Sequence, residues 1–191
     1  MNRFARIMQG LGWVGVALLT VVWAQGFVVR EGTRFSQTFN HGIWIEDGEL
    51  VYDADEAHPG DLLHDAGHLA VLPECVRSRI TGGDIEDSLF PLLRDYMKKH
   101  PQAVAFPEDP AARALLQSSD LEVIAWAWAA ALAAGVNPRL TCANGFPNEG
   151  DVDATVVGLK ARNHPGIEGL LLSGFVSSPA QYPRLNFWKH P

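Results

Sequence analysis

Several common function classes lack their marker residues in this chain. Its 191 residues contain two cysteines, Cys75 and Cys142, far apart in the sequence. They form no CxxC pair, which argues against a structural zinc knuckle. Two free thiols in a reducing compartment are expected, with a single disulfide as the reading if the protein is exported. Charged residues make up a lean 19%, and the net charge is −7 with no basic run. That balance argues against nucleic acid as a partner, because phosphate binding needs clustered Lys and Arg. The acidic residues are scattered and name no partner. Thr81-Gly82-Gly83-Asp84 lacks the rest of a P-loop or dinucleotide fingerprint. Leu172-Ser173-Gly174 falls short of a nucleophile elbow. No internal repeat, low-complexity tract or long linker stands out.

What is present fits one domain spanning 1–191. The 47% apolar content is ordinary for a globular core. The expected class is α+β, mainly helical, with a small β-hairpin or sheet. Residues 1–25 read as an apolar helix, and a short strand should begin within Gly26 to Val29. The basic residues Arg3 and Arg6, the apolar run from Leu11 to Val29 and Val22-Trp23-Ala24 could also form a signal peptide or a membrane anchor. A buried N-terminal helix in a cytoplasmic protein is the favoured expectation. A membrane would enter only through residues 1–29. Residues 43–52 read as a hairpin around Asp47-Gly48, a strong type I′ turn signal.

Asp61 is a natural N-cap after Pro59-Gly60, and a helix should run to about Val71, where Pro73 stops it. Residues 76–87 read as a loop. A helix is expected from about Leu89 to Lys99, with Pro91 in its first turn. Ser119 opens the clearest helix, DLEVIAWAWAAALAAG, which Gly135 ends. Residues 139–150 read as a loop, and two short helices are expected near 151–161 and 165–174. The aromatic tail, YPRLNFWKHP, should dock on the body.

The strongest chemical signal is GDLLHDAGHLAV at 60–71. His64 and His68 are four apart, so a helix places them on one face, a turn apart. Two imidazoles so placed can hold one metal ion, usually zinc. Asp65 follows the first His, where an H-E-x-x-H motif carries its Glu. A glycine kept inside a helix, here Gly67, implies that something packs closely against it.

A zinc hydrolase needs three protein ligands, a position for water and a carboxylate to take the water's proton. The third ligand must come from elsewhere, and Glu122 is the choice. It lies in the first turn of the Ala/Trp-rich helix, where a carboxylate facing the core needs a partner. A second reading stands beside it. Ser119-x-x-Glu122 is also a capping box. Asp120, on the same turn, is the alternative ligand. Asp84, Glu86 and Asp87 read first as an exposed acidic turn. His41, His58, His100, His164 and His190 have no partner at ligand spacing. His58 lies just before the His helix but reads as a loop residue, and His164-Pro165-Gly166 reads as a turn. Trp126 and Trp128 read as core or cleft wall.

GDLLHDAGHLAV resembles the active-site helix of zincin metallopeptidases, whose usual form is HEAGH with apolar flanks. A Glu on a second helix resembles the gluzincin branch. The runs GFVVREG and TFNHGIWIEDGELVYDADEAHPGDLLHDAGHLAV, with the EVIAWAWAAALAAG helix and the YPRLNFW tail, resemble a group of small bacterial proteins with an HEAGH-like motif. The resemblance implies a zincin-like helical core. His64, His68 and Glu122 would be zinc ligands, Asp65 would stand at the general base, and the substrate would be a peptide or small amide. Asp is one methylene shorter than Glu, and general-base geometry is sensitive to about 1 Å. The second expectation is therefore a non-catalytic metal-binding module acting through a protein partner.

Overall fold

The computed structural model describes residues 12–32, 42–83, 85–99, 120–142 and 149–191, the side chains of Glu86 and Glu149 excepted. Helix α1 (Gly12–Ala24) leads into strand β1 (Val29–Glu31), which starts where the expected strand was to end. Strands β2 (Ile43–Glu46) and β3 (Glu49–Tyr52) form the expected antiparallel hairpin. Asp47 and Gly48 both have positive φ, 51° and 77°, as a type I′ turn requires. β1 adds in parallel to β3, giving a three-stranded mixed sheet of order β1-β3-β2.

The rest is helical: α2 (Pro59–Val71), α3 (Glu74–Arg77), α4 (Ile85–Lys99), α5 (Asp120–Ala133), α6 (Glu149–Ala161) and α7 (Pro165–Leu172), with 3₁₀ turns at Pro138–Cys142 and Pro179–Gln181. The fold is therefore mainly helical α+β. Three boundaries differ from expectation. The 76–87 stretch contains the end of α3 and the start of α4, not only loop. Pro91 sits in the second turn of α4, not the first. The segment 139–150 includes most of a 3₁₀ turn and the first residues of α6. Ser119, Asp84, His41 and His100, and with Ser119 the expected capping box, lie outside the described residues.

α5 is the central element. Ten of its residues are buried, including Trp126 and Trp128, so it is apolar on nearly every side because neighbours cover nearly every side. It ends as expected at Gly135 (φ 70°). Gly135 N–H donates to Leu132 O, and Val136 N–H to Ala131 O. α2 and α7 pack on different faces of α5, and α1 covers α2 and α5 through Leu18 and Val22. The tail docks as expected. Trp126 Nε1 donates to Trp188 O at 2.9 Å, and Tyr182 Oη donates to Ala125 O at 2.8 Å. Arg77, buried, donates to Leu69 O, Leu72 O and His190 O at 2.5–2.8 Å. It thus satisfies carbonyls at the C-terminus of α2 while tying down the tail.

Among the described residues, no helix is long and apolar enough to cross a membrane. Cys75 is exposed and Cys142 buried, and both are free thiols.

Candidate metal centre

The N-cap of α2 is His58, not Asp61. Pro59 occupies the first helical position, where its fixed φ suits the helix and its missing N–H goes unneeded. His58 Nδ1 accepts the Gly60 N–H at 3.2 Å. That bond makes His58 a cap, not a ligand. Gly60 is required for its size, since a Cβ there would run into Leu140 O.

From this start the 3.6-residue period carries His64 and His68 to one face. Their Nε2 atoms are 3.2 Å apart, with ring centroids 4.9 Å apart and planes at 80°. Two imidazole nitrogens bound tetrahedrally to one zinc at ~2.0–2.1 Å stand about 3.3 Å apart. The pair therefore fits a shared ion with little movement. The same separation also serves an N–H···N hydrogen bond between neutral rings.

Gly67 lies between the two histidines on the chain and is the point where α2 meets α5. A Cβ there would lie 2.9 Å from Val123 Cγ1 and 3.2 Å from Val123 O. The glycine thus lets the His helix approach α5 closely. That approach brings the start of α5 to the imidazoles. Asp120 Oδ1 is 3.5 Å from His68 Nε2 and 4.0 Å from His64 Nε2. Asp65 completes the cluster: it offers a carboxylate oxygen that lies, with one nitrogen of each His, in a group no more than 4.8 Å across.

Glu122, the expected third ligand, is not in that group. It is buried, and its carboxylate lies against Gly169 of α7, where a Cβ would collide with it. Helix geometry explains why. Residues two apart diverge by about 200° around the axis. Asp120, with Val123 and Trp126 three and six residues on, faces α2; Glu122 faces α7. The alternative weighed on the same turn is the carboxylate that reaches the His pair. Asp87 is exposed in α4.

Burial sets the electrostatics. His68 is buried, and its pKa lies well below 6.5, first through desolvation and then through the neighbouring His64. That of His64 is also lowered by burial, against the opposing charges of Asp120 and Asp61. Both imidazoles are therefore neutral at neutral pH, the form that binds metal. His68 Nδ1 is buried without a hydrogen-bond partner. The tautomer with its proton on Nε2 leaves Nδ1 bare and aims that proton at His64. Asp120, at 68% side-chain exposure against 18% and 7% for the histidines, forms the solvent side of the cluster.

No family model, curated protein or solved structure matches this chain. The reading of the centre rests on its own chemistry. Sequence reasoning missed the His58 cap and its duplicate at His164. The signal was the tripeptide His-Pro-Gly, which occurs at 58–60 and again at 164–166.

Proposed function

We propose that the chain is a zinc-dependent hydrolase of the metallopeptidase type, with His64, His68 and Asp120 as the protein ligands and Asp65 as general base. The observation that carries the reading is the 3.2 Å separation of two buried Nε2 atoms with Asp120 Oδ1 3.5 Å and 4.0 Å away. When bound, zinc lowers the pKa of water and polarises a carbonyl. His64 and His68 hold the ion through Nε2, and burial keeps both rings unprotonated for that role. Asp65 accepts a proton from the attacking water at its carboxylate and returns it to the departing amine. The peptide or small amide substrate follows from the resemblance of HDAGH to the zincin motif. Asp120 takes the place in this reading that the resemblance would give to Glu122.

A second reading has its own support. The oxygen that Asp65 offers lies within 4.8 Å of both imidazole nitrogens, close enough for it to act as a ligand. Two His, Asp65 and Asp120 would then close the coordination shell and leave a metal-binding module without catalysis. Asp65→Ala decides between the two when zinc content and amide hydrolysis are both measured. The hydrolase reading expects zinc retained and hydrolysis lost, with Asp65→Glu active. Zinc lost with Asp65→Ala, and no hydrolysis by the wild type, sinks it in favour of the module.

A further inference from the structure

Helix α1 has two faces, and both are apolar. Gly15, Leu18 and Val22, spaced i, i+3 and i+7, are buried against the body. The opposite side carries Trp13, Val14, Thr20, Trp23 and Ala24, all exposed. Trp13 is 72% exposed and Trp23 73%. From Gly12 to Ala24 the helix contains no charged residue. Its single hydroxyl is already used, since Thr20 Oγ1 donates to Val16 O at 2.7 Å. Scattered exposed apolar residues are ordinary, but a contiguous apolar face bearing two open tryptophans marks a surface that something covers.

Charge and aromatic placement identify the cover. The tryptophans stand ten residues apart, about 15 Å along the helix. Tryptophan at both ends of an apolar segment is the arrangement favoured at a membrane–water boundary, where the indole body is buried and its N–H stays wet. Residues 1–30 contain Arg3, Arg6 and Arg30 and no acid, whereas the chain as a whole has a net charge of −7. At the far end of the helix, Lys189 Nζ donates to Gly26 O at 3.1 Å and lies 5.5 Å from the Phe27 ring centroid. Basic residues thus attend both ends of the apolar face, in a chain that is otherwise acidic. A protein partner for an apolar stripe requires no such sign reversal. An anionic lipid surface does, because it attracts Lys and Arg and repels the acidic body. α1 is 13 residues long, about 20 Å, and one side of it is committed to the core. It is suited to lie along a bilayer surface.

We infer that the outer face of α1, from Trp13 to Trp23, is a membrane-surface docking element for anionic phospholipid. The protein would sit on the bilayer with α1 embedded lengthwise and its acidic body held away. This inference is independent of the metal centre, which lies on α2 and α5.

The test is sedimentation of the full chain with vesicles of phosphatidylcholine alone and of phosphatidylcholine with phosphatidylglycerol. The wild type should pellet with the anionic vesicles and much less with the neutral ones, and added salt should weaken the binding. Trp13→Ser with Trp23→Ser should reduce partitioning by about tenfold or more, since two large apolar side chains no longer leave water. Phe90→Ser, which removes an equally open aromatic from α4, should change nothing. All these residues are exposed, so thermal melting should show each variant folded. A wild type that stays in the supernatant with both vesicles overturns the inference. So does a double variant that binds as well as the wild type, or one whose only defect is loss of a dimer in light scattering.

Discussion

Helices α2 and α7 begin alike and pack on the same partner, but differ in what they carry. Each starts His-Pro-Gly. In each, the His is the N-cap, with Nδ1 accepting the Gly N–H at 3.2 Å in α2 and 3.1 Å in α7. In each, the glycine meets a carbonyl oxygen, that of Leu140 or Leu121, which leaves no room for a Cβ. Each also uses an inner glycine, Gly67 or Gly169, to come close to the first half of α5. Laid on one another, His64 falls on Leu170 and His68 on Gly174. Leu170 is fully buried in the core. The common features are thus packing devices, and the difference between the helices is chemistry. The first turn of α5 reflects the same division. It offers Asp120 to the histidines of α2 and Glu122 to the small face of α7.

The largest expected effect breaks this comparison on the α2 side. Either His68→Ala or His64→Ala should abolish stoichiometric zinc binding, because the remaining nitrogen and carboxylates cannot hold the ion at comparable affinity. Metal analysis of purified protein checks this. Zinc retained in both variants would reduce the centre to a buried His–His contact. The next effect separates the two acids. Asp120→Asn should weaken zinc binding by about 10–100-fold, the range typical when a supporting or weaker ligand is lost at such a site. Glu122→Gln should leave zinc affinity unchanged, because its carboxylate lies at Gly169 instead. Competition with a chelator reads both. A weak Glu122→Gln variant beside a normal Asp120→Asn would restore the sequence-based choice.

A smaller effect tests whether the two helix starts are equivalent. Gly60→Ala and Gly166→Ala each place a methyl against a neighbouring carbonyl, and overpacking of this kind costs about 1–3 kcal/mol. Both should lower the stability measured in denaturant by similar amounts. Gly135→Ala provides a contrast. Its site has open space, so its cost is that of a positive φ alone.

The His pair was legible because it depends on one helix and a period of 3.6. The hairpin was legible because Asp47-Gly48 specifies its turn locally. The partner of the His pair was not. Asp120 and Glu122 are both acidic, both in the first turn, and differ only by a rotation about the axis of α5. That rotation is set by Gly67 and Gly169, which admit α2 and α7 on their respective sides. No local pattern encodes it. The N-cap was misassigned for a different reason. Asp is the commoner cap, so Asp61 drew the assignment, although Pro59 already marked the first helical position and pointed to the residue before it. The repeated His-Pro-Gly is short enough to pass as two turns, and only its use in both helices gives it meaning.

The caps should produce the smallest effect, and it should depend on pH. His58→Ala and His164→Ala each remove a side-chain acceptor, worth about 1 kcal/mol, and Asn in either place should restore most of it. A histidine caps through a bare Nδ1, which protonation would occupy. Burial lowers the pKa of His164 below the ordinary 6.5. The unfolded chain therefore takes up the proton first as pH falls. Stability from the cap is fully present above 6.5 and is lost as pH falls toward the folded value. His64 and His68 act in the same direction, since burial lowers both. Melting temperature should then decline on acidification below 6.5, and the decline should be shallower in His164→Asn, whose cap does not titrate. An equal slope in that variant would mean that the buried histidines of α2 carry the whole dependence and that the α7 cap contributes none of it.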